Sequence, residues 1–131
     1  MKRVSSGSPY EKLFGFSRAV RVGDVIHVSG TAPMDDKGNS VHQGNAYLQA
    51  KRCLEIIAKA IDNAGGRLDQ VVRTRVYVTD ISKADEVGRA HGEFFGEIRP
   101  ASLMIEVKGF VRKEWLVEIE AECWVGADES D

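Results

Sequence analysis

Cysteine is scarce in this chain of 131 residues: Cys53 and Cys123 stand seventy positions apart, and neither has a second metal-ligand pair beside it. That argues against a zinc or redox site. The three histidines, His27, His42 and His91, show no HxH or HExxH spacing, so no metal centre is expected. Positive charge is not in excess either. Lys and Arg number 18 against 20 Asp and Glu, a net charge of −2, which leaves no broad basic field to hold a phosphate backbone, and nucleic acid is not an expected partner. No run approaches the roughly 18 apolar residues of a membrane span, so no membrane association is expected. The start, Met1-Lys2-Arg3-Val4-Ser5-Ser6-Gly7, lacks the apolar segment of a secretory signal, and a cytoplasmic protein with reduced thiols is expected. P-loop, nucleophile-elbow and dinucleotide fingerprints are missing, because Gly65-Gly66 ends a helix instead of opening one. No cofactor is expected.

What is present suits one globular domain. With 43% hydrophobic and 29% charged residues, the chain is neither disordered in composition nor membrane-like. A chain of this length buries roughly two thirds of its unfolded surface and needs no staples. A single domain over residues 1–131 is expected, with residues 1–9 and 126–131 as frayed ends.

The hydrophobic pattern gives an order of elements. Residues 17–30 hold two β-rich runs around the turn signal Gly23-Asp24, an opening hairpin. From Asn45 to Ala64, Ala46, Ala50, Cys53, Leu54, Ile57, Ile61 and Ala64 recur at helical spacing, with Gly65-Gly66 as the stop. Val72, Thr74, Val76 and Val78 then alternate with Arg73, Arg75, Tyr77 and Thr79, the period of a strand. Ser82 with Asp85 resembles a capping box for a second helix that carries Val87, Ala90, His91 and Phe94. Residues 101–107 and 115–125 read as strands; the latter carries Glu118, Glu120 and Glu122 on the face opposite its apolar odd positions. The expected fold is α+β, in the order β-β-α-β-α-β-β, with two helices on one face of a mixed sheet. The other face, with Tyr77, Leu116 and Trp124 beside arginines and glutamates, is predicted to be covered by further copies of the chain.

Glu118 is the leading candidate for chemistry. A carboxylate between Val117 and Ile119 can be partly desolvated, and can then act as a general base or hold a water. An ordinary solvated strand face is the competing reading. Three glutamates on one face repel unless cations answer them, and Arg73 and Arg75 are natural candidates, as a structural ladder or as part of a site. Ser29-Gly30-Thr31 ends a strand with a hydroxyl and a glycine that lets a ligand approach the backbone, although turn formation explains Gly30 equally well.

Several segments together resemble the RidA/YjgF family, once named for L-PSP endoribonuclease. They are Phe16-Ser17-Arg18-Ala19-Val20, Val28-Ser29-Gly30, Ala64-Gly65-Gly66 with Asp69-Gln70-Val71-Val72, Phe94-Phe95, Pro100-Ala101, Ile105-Glu106-Val107 and Val117-Glu118-Ile119-Glu120-Ala121. The resemblance implies a chorismate-mutase-like fold and a homotrimer with ligand clefts between subunits. It also implies hydrolysis of reactive enamines and imines, with Glu118 positioning the attacking water. Deaminase members of that family carry an arginine directly after the Pro-Ala pair to grip a substrate carboxylate; Ser102 stands there in this chain. The family's early tyrosine is Phe16, its helix asparagine is Gly88, the following tyrosine is His91, and the cysteine after the arginine is Met104.

The resulting expectation is a hydrolase of an imine or enamine other than 2-aminoacrylate. Glu118 is catalytic, and Ser102, Ser29, Gly30, Phe16, Met104, Arg75 and His91 line the substrate site, with Arg75 as a candidate replacement cation. The alternative is a non-catalytic trimer that binds a small metabolite or a partner protein. Endoribonuclease activity ranks third, since no histidine pair or base-stacking aromatic platform supports it.

Overall fold

The computed structural model describes residues 1–126. Six strands, β1 (Lys2–Val4), β2 (Ala19–Val22), β3 (Val25–Thr31), β4 (Val71–Val78), β5 (Ala101–Glu106) and β6 (Val117–Trp124), form one sheet. Three helices join them: α1 (Pro9–Phe14), α2 (Ala46–Asn63) and α3 (Ala84–Phe95). The strand order is β1-β2-β3-β6-β4-β5. Only β4 and β5 pair in parallel, with α3 as their crossover, so the sheet is mixed.

The single α+β domain matches expectation, with two additions at the start of the chain. Residues 1–9, expected to fray, instead supply β1, which pairs with β2 through Lys2 and Arg21, Arg3 and Val20, and Val4 and Ala19. A short helix follows. The Ser8 hydroxyl accepts from the Tyr10 N–H at 3.3 Å, Pro9 has the φ of a first helical residue, and Gly15 at φ 79° stops the turn. Of the expected C-terminal fraying, residues 127–131 lie outside the described residues.

Helix α2 is capped by Asn45, whose side chain accepts from Leu48 N–H at 3.0 Å, and ends at Gly65 with φ 86°. The second helix starts differently from the expected capping box. Asp80, not Ser82, is the acceptor: it takes the Ser82 N–H at 3.0 Å and the Ser82 hydroxyl at 2.7 Å, holding a 3₁₀ turn, Ile81–Lys83, that runs into α3. An ionised carboxylate outcompetes a hydroxyl for that role.

Both longer helices cover one face of the sheet. Ala50, Cys53, Leu54, Ile57 and Ile61 of α2 and Val87, Ala90 and Phe95 of α3 close over Ile26, Val28, Val76, Val78, Val117, Ile119 and Ala121. Strand β4 departs from its expected alternation at its first residues. A bulge between Val71 and Arg73 turns Val71 into the core and leaves Val72 52% exposed. Strand β6 begins at Val117, later than expected, because Trp115 leaves the sheet to pack with Ala32 and Met34 in a smaller second core. Its indole N–H donates to Ser40 Oγ at 2.9 Å.

Candidate functional site

The predicted site residues fall into three groups, and the pleat decides which. On β6, Val117, Ile119, Ala121 and Cys123 point to the helices, so Glu118, Glu120 and Glu122 point to the open face. There they lie across from Tyr77, Arg75 and Arg73 of β4.

Glu118 opens into a pocket with Phe16 and Gly30, both predicted, and with Ser8, Tyr10, Phe14, Arg18, Ala32, Met34, Val111 and Trp115. Four aromatic rings stand in its walls: Tyr10 meets Trp115 edge to face at 5.7 Å and Phe14 at 5.4 Å, with Phe16 beside Arg18. Burial pushes the proton affinity of Glu118 above that of an ordinary carboxylate. The charge of Arg18 works against the rise and that of Glu120 adds to it. Gly30 has a specific reason to be glycine, since a Cβ there would stand 3.1 Å from Glu118 Oε1. Its role is close approach to the carboxylate within β3.

Arg18 is the residue that sequence reasoning missed, and it organises this end of the sheet. It is 2% exposed. One terminal nitrogen, Nη1, donates to the Gly30 carbonyl at 2.6 Å and to Thr31 Oγ1 at 3.2 Å. Nε donates to Ser6 Oγ at 3.2 Å and lies 3.7 Å from Glu11 Oε2, and the guanidinium sits 5.3 Å from the Phe16 ring centroid. Burial pushes Glu11 up, but hydrogen bonds from Ser6 and Ser5 and the Arg18 charge outweigh it and hold Glu11 below the usual carboxylate range. The one signal available in sequence was an arginine between Ser17 and Ala19 entering a buried strand. Gln49 was also missed. It lies on the buried stripe of α2, accepts from Leu116 N–H at 2.8 Å and donates to the Glu114 carbonyl at 3.0 Å, fixing the chain two residues before Glu118.

A second group lies on the open face near the centre of the sheet. Arg75 donates to Glu122 Oε1 at 2.7 Å, Tyr77 donates to Glu120, and His27 Nδ1 lies 3.5 Å from Glu122 Oε2. Ser29 lines this depression, but its hydroxyl donates to the Ser17 carbonyl at 2.6 Å. Hydrogen bonding to Glu122 pushes Arg75 up, so it stays charged. The glutamate ladder is therefore answered by Arg75 and Tyr77.

The third group sits on the helix-covered side, at the β5 edge. Strand pairing places Ser102 beside Thr74 and Met104 beside Val76, so Ser102 and Met104 face away from Arg75 and Glu118. Thr74 Oγ1 donates to Ser102 Oγ at 2.7 Å and lies 2.8 Å from His91 Nε2. Burial lowers the proton affinity of His91, which keeps it neutral. Arg99 lies outside the strand, before Pro100, at a left-handed φ of 58°.

Among the described residues, no three His, Cys, Asp or Glu side chains come together as a metal site. Cys53 and Cys123 are free and buried, and burial raises both thiols, Cys123 to about 12. No helix among the described residues is long and apolar enough to cross a membrane.

A one-domain mixed sheet, with a desolvated carboxylate on its open face and two helices on the other, defines a class of small α+β proteins. Within that class the chain belongs to the endoribonuclease L-PSP family, also called RidA/YjgF, whose family model matches residues 9–125. It is 40% identical to an uncharacterized protein of Streptomyces coelicolor, over 99% of this chain and 96% of that one. It is 33% identical to 3-aminoacrylate deaminase RutC of Acinetobacter baylyi, over 88% and 90% of the two chains. The crystal structure of a YjgF-family member from Mycobacterium tuberculosis superposes with a TM-score of 0.85 at 44% identity, covering 95% of this chain and 98% of that one.

Proposed function

We propose that the protein hydrolyses a reactive imine or enamine other than 2-aminoacrylate, releasing ammonia, with Glu118 as the general base. The observation that carries this reading is the placement of Glu118: a carboxylate of raised proton affinity, in an aromatic-lined pocket, with no hydrogen-bond partner among the described residues. Such a group binds a water and accepts its proton. Attack of that water on the carbon of a protonated C=N bond gives a carbinolamine. Glu118 returns the proton to nitrogen and takes up the proton of the carbinolamine hydroxyl as the C–N bond breaks, which leaves a carbonyl and ammonia; the ammonia leaves with that proton as ammonium. The reaction draws on positioning and one proton acceptor, and calls on no cofactor. The relative named 3-aminoacrylate deaminase supports an enamine-directed chemistry.

The working site is completed by other copies of the chain, as a homotrimer with clefts between subunits. Glu118 and Ser102 lie on opposite faces of one protomer's sheet, so both line one cleft only if neighbouring protomers supply one each. Leu103 and Ile105, 40% and 44% exposed at the β5 edge, suit burial in such a contact. Phe16 and Gly30 then belong to the Glu118 half, Met104 and His91 to the Ser102 half, while Arg75 and Ser29 face the shared interior.

The test generates imines from a panel of amino acids with an amino-acid oxidase and traps them with semicarbazide, with and without the protein. Imine loss is expected to accelerate for at least one member of the panel and to return to the spontaneous rate with Glu118→Ala. No acceleration across the panel overturns the hydrolase and leaves a metabolite-binding protein. Light scattering at micromolar concentration is expected to give three times the chain mass, and a monomer mass overturns the shared cleft.

A further inference from the structure

Arg18 stands in the wall of the Glu118 pocket with part of its donor capacity unspent. A guanidinium carries five N–H groups. Three are used by the folded chain: Nη1 donates to the Gly30 carbonyl at 2.6 Å and to Thr31 Oγ1 at 3.2 Å, and Nε donates to Ser6 Oγ at 3.2 Å. The two on Nη2 have no acceptor among the described residues. No fully buried side-chain nitrogen or oxygen among those residues goes without a partner, so Nη2 opens onto solvent. The cavity that Arg18 lines is the Glu118 pocket. An almost wholly buried cation therefore presents one nitrogen to it.

The direction of that nitrogen is set by its surroundings. Phe16 lies against the guanidinium, 5.3 Å away at the ring centroid, and Glu11 stands 3.7 Å from Nε. Gly30 joins Arg18 to Glu118: its carbonyl accepts from Nη1, and a Cβ on it would meet Glu118 Oε1 at 3.1 Å. Among the described residues Arg18 pairs with Glu11 and makes no ion pair with Glu118, although the two charges act on each other's proton affinity. A donor and an acceptor that face one cavity at such a separation are bridged by an oxygen. Gripping a carboxylate with two parallel bonds takes two neighbouring nitrogens, and Nη1 and Nε are already committed. Nη2 suits a single oxygen.

We propose that Arg18 is a second catalytic residue of this site, whose Nη2 donates to the oxygen that Glu118 deprotonates and holds the negative charge developing there. The inference rests on the imine-hydrolase reading of Glu118. In the step it serves, an O–H bond of water breaks and its proton goes to Glu118. The oxygen bonds to the carbon of the protonated C=N group, and the π pair moves to nitrogen. Arg18 keeps all its protons. A fixed charge beside apolar walls, here Ala32, Met34 and Trp115, stabilises such an oxygen more than bulk water does.

Arg18→Lys keeps the positive charge on one nitrogen, which the Gly30 carbonyl and Glu11 engage. With one responsive imine, it is expected to lose about a hundredfold in kcat, with KM within about threefold of native and the ionisation in the pH profile unmoved. An arginine that only holds the fold together would leave kcat per folded chain near native. Formate tests the donor without turnover. At about pH 8, Glu118→Gln removes the opposing charge and is expected to bind formate at least about tenfold more tightly than the native protein in calorimetry. The bound anion is expected to shift the guanidinium ¹⁵N–H signals of Arg18. The inference is overturned if folded Arg18→Lys turns over within about threefold of native, or if Glu118→Gln binds no formate at tens of millimolar. Should Arg18→Lys fail to fold, the formate result decides alone. Formate binding with no imine ever hydrolysed faster sinks the hydrolase reading and the catalytic role with it, and leaves Arg18 as an anion donor. Glu118-dependent turnover that Arg18→Lys does not slow keeps the hydrolase and removes Arg18 from its chemistry.

Discussion

The Glu118 pocket and the Ser102 cluster manage buried polarity in opposite ways. Around Glu118 the solution is charge: a buried guanidinium, Arg18, bonded to the carbonyl of Gly30 and held near Glu11, beside a carboxylate whose proton affinity burial has raised. Around Ser102 the solution is neutral, a buried threonine hydroxyl within hydrogen-bond distance of the His91 ring and of the Ser102 hydroxyl. The difference teaches that one sheet can meet the cost of burying polar groups either with paired charge or with neutral hydrogen bonding. A carboxylate can gain or lose a proton as its surroundings are tuned, whereas a hydroxyl cluster keeps one state.

That contrast can be broken most severely at Arg18. Arg18→Met leaves the Gly30 carbonyl without its guanidinium donor and Glu11 without its neighbouring positive charge, and is expected to cost about 3–5 kcal/mol in chemical denaturation. It should also change the response to acid. Glu11 is held below its ordinary value in the folded chain, so its contribution is present above the unfolded carboxylate pKa and is lost as pH falls through the folded one. In Arg18→Met that acid-side loss of stability is expected to shrink. A variant that unfolds at the native denaturant midpoint would show that the guanidinium does not hold this end together.

Gln49→Leu is next, at about 1–3 kcal/mol, because the N–H of Leu116 loses its buried acceptor. The accompanying sign is faster amide exchange at Leu116 with α2 intact. Gly30→Ala puts a methyl 3.1 Å from Glu118 Oε1 and is expected to cost about 1 kcal/mol. Its diagnostic effect is catalytic: imine hydrolysis should fall further than stability does, and an equal fall in both would separate Gly30 from the site. Smallest is Glu122→Gln, which removes a half-exposed pair with Arg75 and is expected to shift stability by no more than about 1 kcal/mol, less in high salt.

Much of this arrangement was legible in the sequence. The β2–β3 hairpin, α2 with its Gly65 stop, and the alternation of β6 that puts Glu118 on the open face all follow from local patterns. The bulge at Val71 was not, because an added residue leaves no mark in a run of valines. Strand β1 was hidden by its length: three residues are too few for a period, and only pairing with Ala19–Val22 makes them a strand. Within the site, polar residues on apolar stripes were the unread signal. Arg18, Gln49 and Thr74 all occupy buried positions, and each is there for a hydrogen bond that spacing alone cannot reveal.

The most direct test is the rate of ammonia release from one responsive imine between pH 5 and 8, with the native protein and Glu118→Gln. A general base whose proton affinity is raised by burial is active only when deprotonated. The native rate above background is therefore expected to rise through a single ionisation lying above the ordinary carboxylate range, and Glu118→Gln should show no rate above background at any pH. Equal acceleration by both proteins, with the same pH profile, would contradict the assignment of Glu118 as the base.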